Sequence, residues 1–254
     1  MAMLDLPVLC MVTDRRRRCG RPLEEVVAAA VEGGAGMVQL REKDLPPAQL
    51  YELARRLRGI TKGRSLLFVN DRVDIALAAG ADGVQLPEDG LPVAAARRAG
   101  GTGLLVGRSV HSIDGAVNAE SEGADLLVVG AIFETRSHPG VAPQGIEMLR
   151  QVAERVGTPL LAIGGVTTGN VEAVVRGGAS GAVVITAITE SADPAEATRE
   201  LARKLRRAWS GAPGHALGTR CMIAVRINGE ERQLAESTTL QDYVDTLGVD
   251  LDYI

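Results

Sequence analysis

The chain has 254 residues and a net charge of −4, with 46% hydrophobic and 24% charged residues. A chain of this length and composition can bury a large core, and it offers no basic footprint for a nucleic-acid partner. Aromatic residues make up 2% of the chain, so stacking on rings can contribute little to recognition. We therefore expect ligands to be bound by polar side chains and backbone groups.

The cysteines and the amino terminus indicate a cellular compartment. Cys10, Cys19 and Cys221 lie far apart without metal-ligand spacing, which is typical of reduced thiols in a cytosol. Segment 1–7 lacks the features of a secretion signal, and no apolar run reaches membrane-spanning length. We predict a cytoplasmic protein that binds small molecules and has neither a membrane nor a nucleic-acid partner. The oligomeric state stays open, and a homo-oligomer is compatible with the sequence.

Short apolar, β-branched runs predict eight β-strands. They cover 7–13, 37–41, 65–70, 83–86, 104–110, 125–130, 159–164 and 181–186. Segments with helical spacing lie between or after them, among them 23–31, 48–58, 146–156 and 194–209. The regular alternation of strand and helix predicts an α/β fold with a parallel sheet.

A weak internal repeat joins helix ends to strand starts. Its copies begin at Gly33, Ala79, Glu122 and Gly177, and each continues with Gly-Ala, a typical helix C-cap signal. Eight strand–helix units within about 200 residues match the lower size range of a (βα)8 TIM barrel. An open doubly wound sheet is the alternative, but no Gly-x-Gly-x-x-Gly follows the first strand. We therefore predict a TIM barrel over 1–209.

The composition changes after Trp209. Residues 210–221 are rich in glycine and predict a flexible linker. Residues 222–234 alternate apolar and polar around Asn228-Gly229, the signature of a tight β-hairpin, and capping-box spacing at 238–241 predicts a helix after it. We predict that 222–254 forms a short partial β-grasp appendage, with too few residues to bury a core of its own.

Polar side chains cluster where the predicted strands end, and barrels of this kind carry their chemistry at that face. Gln39, Arg41 and Lys43 alternate along and just past the second strand, so they point the same way. Two cations and an amide on one face suit an anionic substrate. The alternative is a solvated strand end with ordinary charges, which we disfavour because inward barrel positions are usually apolar.

Oxygen ligands follow the next two strands. Asn70-Asp71 closes the third strand, and Glu88-Asp89 follows the fourth. Carboxylates on neighbouring loops suit Mg2+. Asp71 could instead cap the helix that begins near Val73. The residue types alone leave these two alternatives even.

The remaining strand ends carry hydroxyls, glycines and one basic run. The fifth strand ends in 107–112, and the sixth leads into the hydroxyl-rich segment 133–140. Ile163-Gly164-Gly165 and Ile185-Thr186 close the last two strands, where backbone amides can hold a phosphate. Arg15-Arg16-Arg17-Arg18 follows the first strand, and we expect this run to face water rather than make a specific contact.

Taken together, five motifs resemble those of the thiamine phosphate synthase family. They are 38–44, 68–71, 80–86, 163–165 and 184–188, in the family's order. The resemblance extends over about 7–209 and implies a transferase. Such an enzyme condenses 4-amino-2-methyl-5-(diphosphooxymethyl)pyrimidine with a thiazole phosphate to give thiamine phosphate and pyrophosphate.

The resemblance also implies roles for individual residues. Arg41, Lys43 and Ser109 would act in catalysis, and Asp71 would bind Mg2+, the implied cofactor. The implied substrate-binding residues are Gln39, Arg41, Lys43, Asn70, Ser109, Thr135, Ser137, His138, Gly165, Ile185 and Thr186. Arg41, Lys43 and Mg2+ would neutralise the charge that develops on the departing diphosphate.

Three positions depart from the family pattern. Gly90 stands where a second metal-binding aspartate is usual, and the nearby acids are Glu88 and Asp89; of these we favour Asp89 as the ligand. His138 stands where lysine is usual, and Thr186 stands where serine is common.

A close relative, thiazole tautomerase, is the main alternative. It shares segments 107–112 and 133–135 but has a histidine at the position of Ala131. A barrel that binds pathway intermediates without catalysis is a second alternative. The diphosphate set favours the synthase, and pyrophosphate release would separate it from both. Which thiazole phosphate is accepted stays open.

The tail resembles the first half of the ubiquitin-like sulfur carrier of thiazole biosynthesis. Such a carrier needs a carboxyl-terminal Gly-Gly, whereas this chain ends in Asp252-Tyr253-Ile254. The sequence leaves open whether the tail is functional or a truncated remnant.

Overall fold

A computed structural model of the chain describes residues 4–135 and 142–211 in full, and the backbone of 222–227 and 230–235. The chain divides into two compact units, Met1–Trp209 and Ser210–Ile254. In the first unit, eight parallel strands form a closed barrel in sequence order, and β8 returns to pair with β1. The predicted (βα)8 barrel is confirmed.

All eight predicted barrel strands are present, as are the four helices predicted by bounds. The strands are β1 Val8–Val12, β2 Met37–Leu40, β3 Leu66–Asn70, β4 Gly83–Leu86, β5 Leu105–Val110, β6 Leu126–Val129, β7 Leu160–Ile163 and β8 Gly181–Val184. The helices are α1 Leu23–Glu32, α2 Pro47–Thr61, α3 Val73–Ala78, α4 Val93–Gly100, α5 Ile113–Ser121, α6 Gly145–Ala153, α7 Val171–Arg176, α8 Thr186–Thr189 and α9 Pro194–Ser210. A 3-10 turn, Gly101–Gly103, precedes β5.

The barrel interior changes from apolar to polar along the strands. Cys10 on β1, Met37 on β2 and Phe68 on β3 belong to one buried cluster. Two residues further along β2 and β3, the same inward face carries Gln39 and Asn70, because side chains in a strand alternate between faces. Burial raises the pKa of the Cys10 thiol, so this cysteine is a packing residue. The apolar core therefore supports a polar layer at the carboxyl end of the barrel.

The glycine repeat marks helix ends, as predicted. The second residue of each copy has a positive φ, from +65° to +98°, and directly follows the C-cap residue of α1, α3, α5 or α7. These residues are Gly34, Gly80, Gly123 and Gly178. Only glycine enters this left-handed region without a steric cost, so each copy turns the chain from a helix into the next strand.

The second unit contains an antiparallel pair of strands, β9 Met222–Ile227 and β10 Glu230–Ala235. Both strands of the predicted hairpin are present. The linker residues 212–221, the Asn228-Gly229 turn and the helix predicted from Thr238 lie outside the described residues. Across the described part of the chain, every helix is too short or too polar to cross a bilayer.

Candidate active site

A cavity of about 860 Å3 opens at the carboxyl end of the barrel. The predicted site residues that line it are Gln39, Arg41, Lys43, Asn70, Asp89, Ser109, Thr135, Gly165, Ile185 and Thr186. Asp71 follows Asn70 in the chain but does not line this cavity. Ser137 and His138 lie outside the described residues. The structure thus brings together predicted residues from seven of the eight strand ends or their following loops.

Arg41 and Lys43 reach the cavity from the loop between β2 and α2. The backbone N–H of Arg41 donates to Oγ1 of the buried Thr13 at 2.9 Å, which fixes the start of this loop on β1. Within the described ranges, neither the Arg41 nor the Lys43 side chain has a hydrogen-bond or ion-pair partner. Both positive charges are therefore available to a ligand.

Two buried side-chain amides orient neighbouring polar groups of the cavity by donating hydrogen bonds to them. Gln39 donates from Nε2 to Asn70 Oδ1 at 3.1 Å, and Gln85 donates from Nε2 to Ser109 Oγ at 3.1 Å. Since Ser109 Oγ accepts from Gln85, its own proton can point into the cavity. Gln85 is 2% exposed and was missed in the sequence, where it sits inside an apolar strand. The signal that could have found it is its inward position on β4, two residues after Gly83.

Glu88 is occupied by a contact that the sequence did not predict. Its Oε1 accepts from the backbone N–H of His111 at 3.1 Å, and its Oε2 contacts His111 Nδ1 at 2.6 Å. Arg108 donates to the backbone oxygens of Glu88 and Leu91 at 2.6 and 2.8 Å. The loop that carries Asp89 is therefore held from β5 at both of its ends.

The Asp71 carboxylate lies beside this loop. Asp71 has φ +62°, and its N–H donates to Gln85 O at 2.9 Å. Helix α3 has Arg72 as its N-cap residue and receives no side-chain capping bond, so Asp71 does not cap it. A Cβ at Gly90 would lie 3.1 Å from Asp71 Oδ1. The turn around Gly90 therefore passes close to the Asp71 carboxylate.

The acids of this region fit one mode of magnesium binding. No cluster of three or more His, Cys, Asp or Glu side chains suited to a metal occurs in the parts of the chain that the structure describes. Mg2+ is usually held by one or two carboxylates, with waters and substrate phosphates completing its coordination. Of the three predicted candidates, Glu88 is bound to His111, whereas the Asp71 and Asp89 carboxylates have no hydrogen-bond or ion-pair partner among the described residues.

A second binding region is made of backbone. Gly164 and Gly165 follow β7, with φ +98° and +63°. A Cβ on Gly165 would lie 2.3 Å from the backbone oxygen of Glu134, so only glycine fits there. Thr186 is the first residue of α8, and the first N–H groups of a helix have no partner within it. Because both segments line the cavity, their amides can bind a phosphate.

The arginine run after β1 is paired inside the protein. Arg15 donates to both carboxylate oxygens of Asp44 at 2.6 and 2.7 Å, and Arg16 donates to the same carboxylate at 2.5 Å. Arg17 donates to Glu190 at 3.1 Å. The expectation that this run merely faces water is wrong, because acids from two neighbouring loops reach it.

Known proteins share this barrel. The chain matches the thiamine monophosphate synthase family over residues 9–188. It is 44% identical to the thiamine-phosphate synthase of Haloarcula marismortui in an alignment of 196 residues, which covers 75% of this chain and 93% of that protein. The identity to the Pyrococcus furiosus thiamine-phosphate synthase is 40% over 194 residues, covering 76% and 92%. A solved thiamine phosphate pyrophosphorylase from Pyrococcus furiosus aligns with a TM-score of 0.73 and 39% identity, over 79% of this chain and 96% of that one.

Proposed function

The chain belongs to the thiamine monophosphate synthase family, and we propose that the cavity at the carboxyl end of its barrel is where the two substrates of thiamine phosphate synthesis meet. The enzyme condenses an aminopyrimidine diphosphate with a thiazole phosphate and releases pyrophosphate. The observation that carries the site assignment is that one cavity is lined by two cations with no partner among the described residues, Arg41 and Lys43, and by a backbone cradle at Gly165 and Thr186. The isomerase and binding-only alternatives are not favoured, since the two relatives described above are named thiamine-phosphate synthases.

The β2 and β3 side of the cavity binds the diphosphate. Arg41 and Lys43 place two positive charges there, and Asn70, held by Gln39, adds an amide. As the bond between the pyrimidine methylene and the diphosphate oxygen breaks, its electrons move onto that oxygen. Fixed cations stabilise this developing charge without having to reorganise during the reaction.

Asp71 and Asp89 would hold Mg2+ at the edge of this side. When bound, Mg2+ supplies positive charge to the diphosphate oxygens. Arg108 fixes the loop that carries Asp89, and His111 keeps Glu88 engaged. This arrangement supports Asp89 over Glu88 as the replacement for the usual aspartate at Gly90.

The opposite side binds the thiazole phosphate. Backbone amides around Gly165, Ile185 and Thr186 receive the phosphate, while the Ser109 and Thr135 hydroxyls lie between the two sides. The thiazole ring nitrogen then forms the new bond to the pyrimidine methylene, a step that needs orientation rather than a general base. Ser137 and His138 belong to the same proposal as further contacts.

The location in the cell forms part of the proposal. Cys10 and Cys19 are free thiols, which suits the reducing cytoplasm. Cys10 is buried in the barrel, so it is kept away from the reacting groups.

Pyrophosphate release tests the activity. The purified chain is given both substrates and Mg2+, and we expect equal amounts of pyrophosphate and thiamine phosphate. Omission of either substrate serves as the control. Isomerisation of the thiazole phosphate without pyrophosphate would instead identify a tautomerase, and binding without turnover would identify a silent barrel.

A further inference from the structure

Four consecutive charged residues in the loop after β2 separate onto two sides. Arg41 and Lys43 line the cavity. Glu42 and Asp44, which alternate with them, contact the loop after β1 instead. The Glu42 side chain is 3% exposed, and its Oε1 accepts from the backbone N–H of Arg15 at 3.0 Å. The acids therefore fix the same short segment from which the two cations extend.

The loop after β1 is itself anchored elsewhere. We call its segment 15–21 the arginine clasp. At its far end Arg21 donates to the backbone oxygens of Ser191 and Ala192 at 2.8 and 2.6 Å, and Arg17 bonds to Glu190 at 3.1 Å. The clasp thus links the loop after β2 to the segment that follows α8. It can do so because β1 lies between β2 and β8 in the closed barrel.

Asp44 is the main contact between the clasp and the loop after β2. It accepts a two-point bond from Arg15 and a further bond from Arg16, and paired bonds of this kind fix the relative orientation of the two groups. Although desolvation acts in the opposite direction, the bond from Arg16 and the nearby charge of Arg15 lower the pKa of Asp44. The carboxylate is therefore ionised at neutral pH, and the contact is a charged one.

We propose that Asp44 is a positioning residue: by holding the arginine clasp, it fixes the loop that directs Arg41 and Lys43 at the diphosphate. The inference rests on the proposed function. Among the described residues, the hydrogen bonds and ion pairs of the Asp44 carboxylate with other side chains all go to the clasp arginines. A shift of a charged group by about 1 Å can cost 100-fold in rate, so a loosened loop has a measurable effect without any lost substrate contact.

The test combines Asp44→Asn with Lys43→Ala and measures kinetics and pyrophosphate binding. Asp44→Asn should lower kcat/KM by about tenfold and weaken calorimetric pyrophosphate binding, while binding of the thiazole phosphate alone stays unchanged. In a Lys43→Ala background, Asp44→Asn should lower kcat/KM and pyrophosphate affinity by a smaller factor than it does in the wild type. One of the two groups that Asp44 positions is already absent there. Asp44→Glu, which restores the charge, should recover part of the activity.

Glu172→Gln is the matched control. Glu172 pairs with Arg176 on α7, and its side chain is 43% exposed, compared with 38% for Asp44. We expect it to leave both ligand affinities unchanged. Equal losses for the pyrophosphate and the thiazole phosphate in Asp44→Asn, or a fully additive double variant, would overturn the positioning role. If Arg41→Ala and Lys43→Ala were themselves silent, the proposed site would fail instead.

Discussion

Two basic segments lie on neighbouring loops at the mouth of the barrel, and they differ in whether acidic side chains bind them. Arg15, Arg16 and Arg17 are bound by Asp44 and Glu190, whereas Arg41 and Lys43 have no such partner within the described residues. The longer run is thus a structural connection, and the sparser pair carries the charge that is available to a ligand. The density of positive charge in a sequence does not identify a binding site. What matters is whether acids on adjacent loops can reach it.

The same contrast holds for the acids and gives the largest expected effect. The carboxylates of Asp71 and Asp89 have no hydrogen-bond or ion-pair partner in the described structure, whereas that of Glu88 is held by His111. We expect Asp71→Asn to abolish Mg2+-dependent activity. Asp89→Asn should raise the Mg2+ concentration for half activity by about tenfold, and excess metal should rescue it. Glu88→Gln is the matched control, and a shifted Mg2+ titration in that variant alone would reverse the assignment.

The paired and unpaired cations are compared by two arginine substitutions. Arg41→Ala should lower kcat/KM by about 100-fold, as expected for about 3 kcal/mol of lost transition-state stabilisation. Arg16→Ala removes an equal charge from a side chain that is 74% exposed, while Asp44 keeps its two bonds from Arg15. Its effect should be several-fold at most. Pyrophosphate release measures both, and similar losses would show that general positive potential, not a specific contact, drives binding.

The backbone cradle allows a comparison of two glycines that differ in the room for an added side chain. Gly165→Ala should raise the KM for the thiazole phosphate by about tenfold, because its Cβ would overlap the Glu134 oxygen. The strain should also lower the free energy of unfolding by about 1–3 kcal/mol. Gly63 has a similar φ of +74°, but a Cβ added there would have open space around it, so Gly63→Ala is the control. This control should lose about 1 kcal/mol of stability and keep its kinetics, so a raised KM there would contradict the cradle.

The smallest effect is expected at the carboxyl end. A chain shortened to end at Ser210 keeps the whole of α9 and should retain its full kcat/KM. Ending the chain at Arg199 instead removes Leu201 and Leu205, each 1% exposed, and should cost about 4 kcal/mol of burial free energy. Thermal unfolding and turnover distinguish the two. A large loss of activity in the folded longer form would show that the tail takes part in catalysis.

The sequence predicted the barrel from its alternating strand and helix segments, and it predicted the cavity cations from the alternation of side chains along one strand. Alternation along a strand is a local rule, so the directions of Gln39, Arg41 and Lys43 followed from their spacing. The helix ends could also be predicted from local sequence, because a glycine after a helix indicates a left-handed turn, as at Gly34.

The missed contacts are not local. His111 and Glu88 are 23 residues apart, and Arg17 and Glu190 are 173 residues apart. These contacts depend on which loops become neighbours once the barrel closes. The spacing of residues along the chain does not indicate which loops those are. The arginine run was misjudged for this reason. The role of Gln85 was missed differently, since its strand was recognised but its partner Ser109 lies on the next one.

The buried Glu42 makes the stability of this barrel sensitive to protons. Burial raises the pKa of the Glu42 carboxyl, against the opposing bonds from Thr13 and Arg15. The folded chain therefore binds a proton at this site more tightly than the unfolded chain does. The resulting stabilisation is complete below the ordinary glutamate pKa of about 4.3 and is lost as pH rises through the higher folded value. Ionisation of Glu42 therefore costs the folded chain stability, and the stability of a Glu42→Gln variant should lack this dependence on pH.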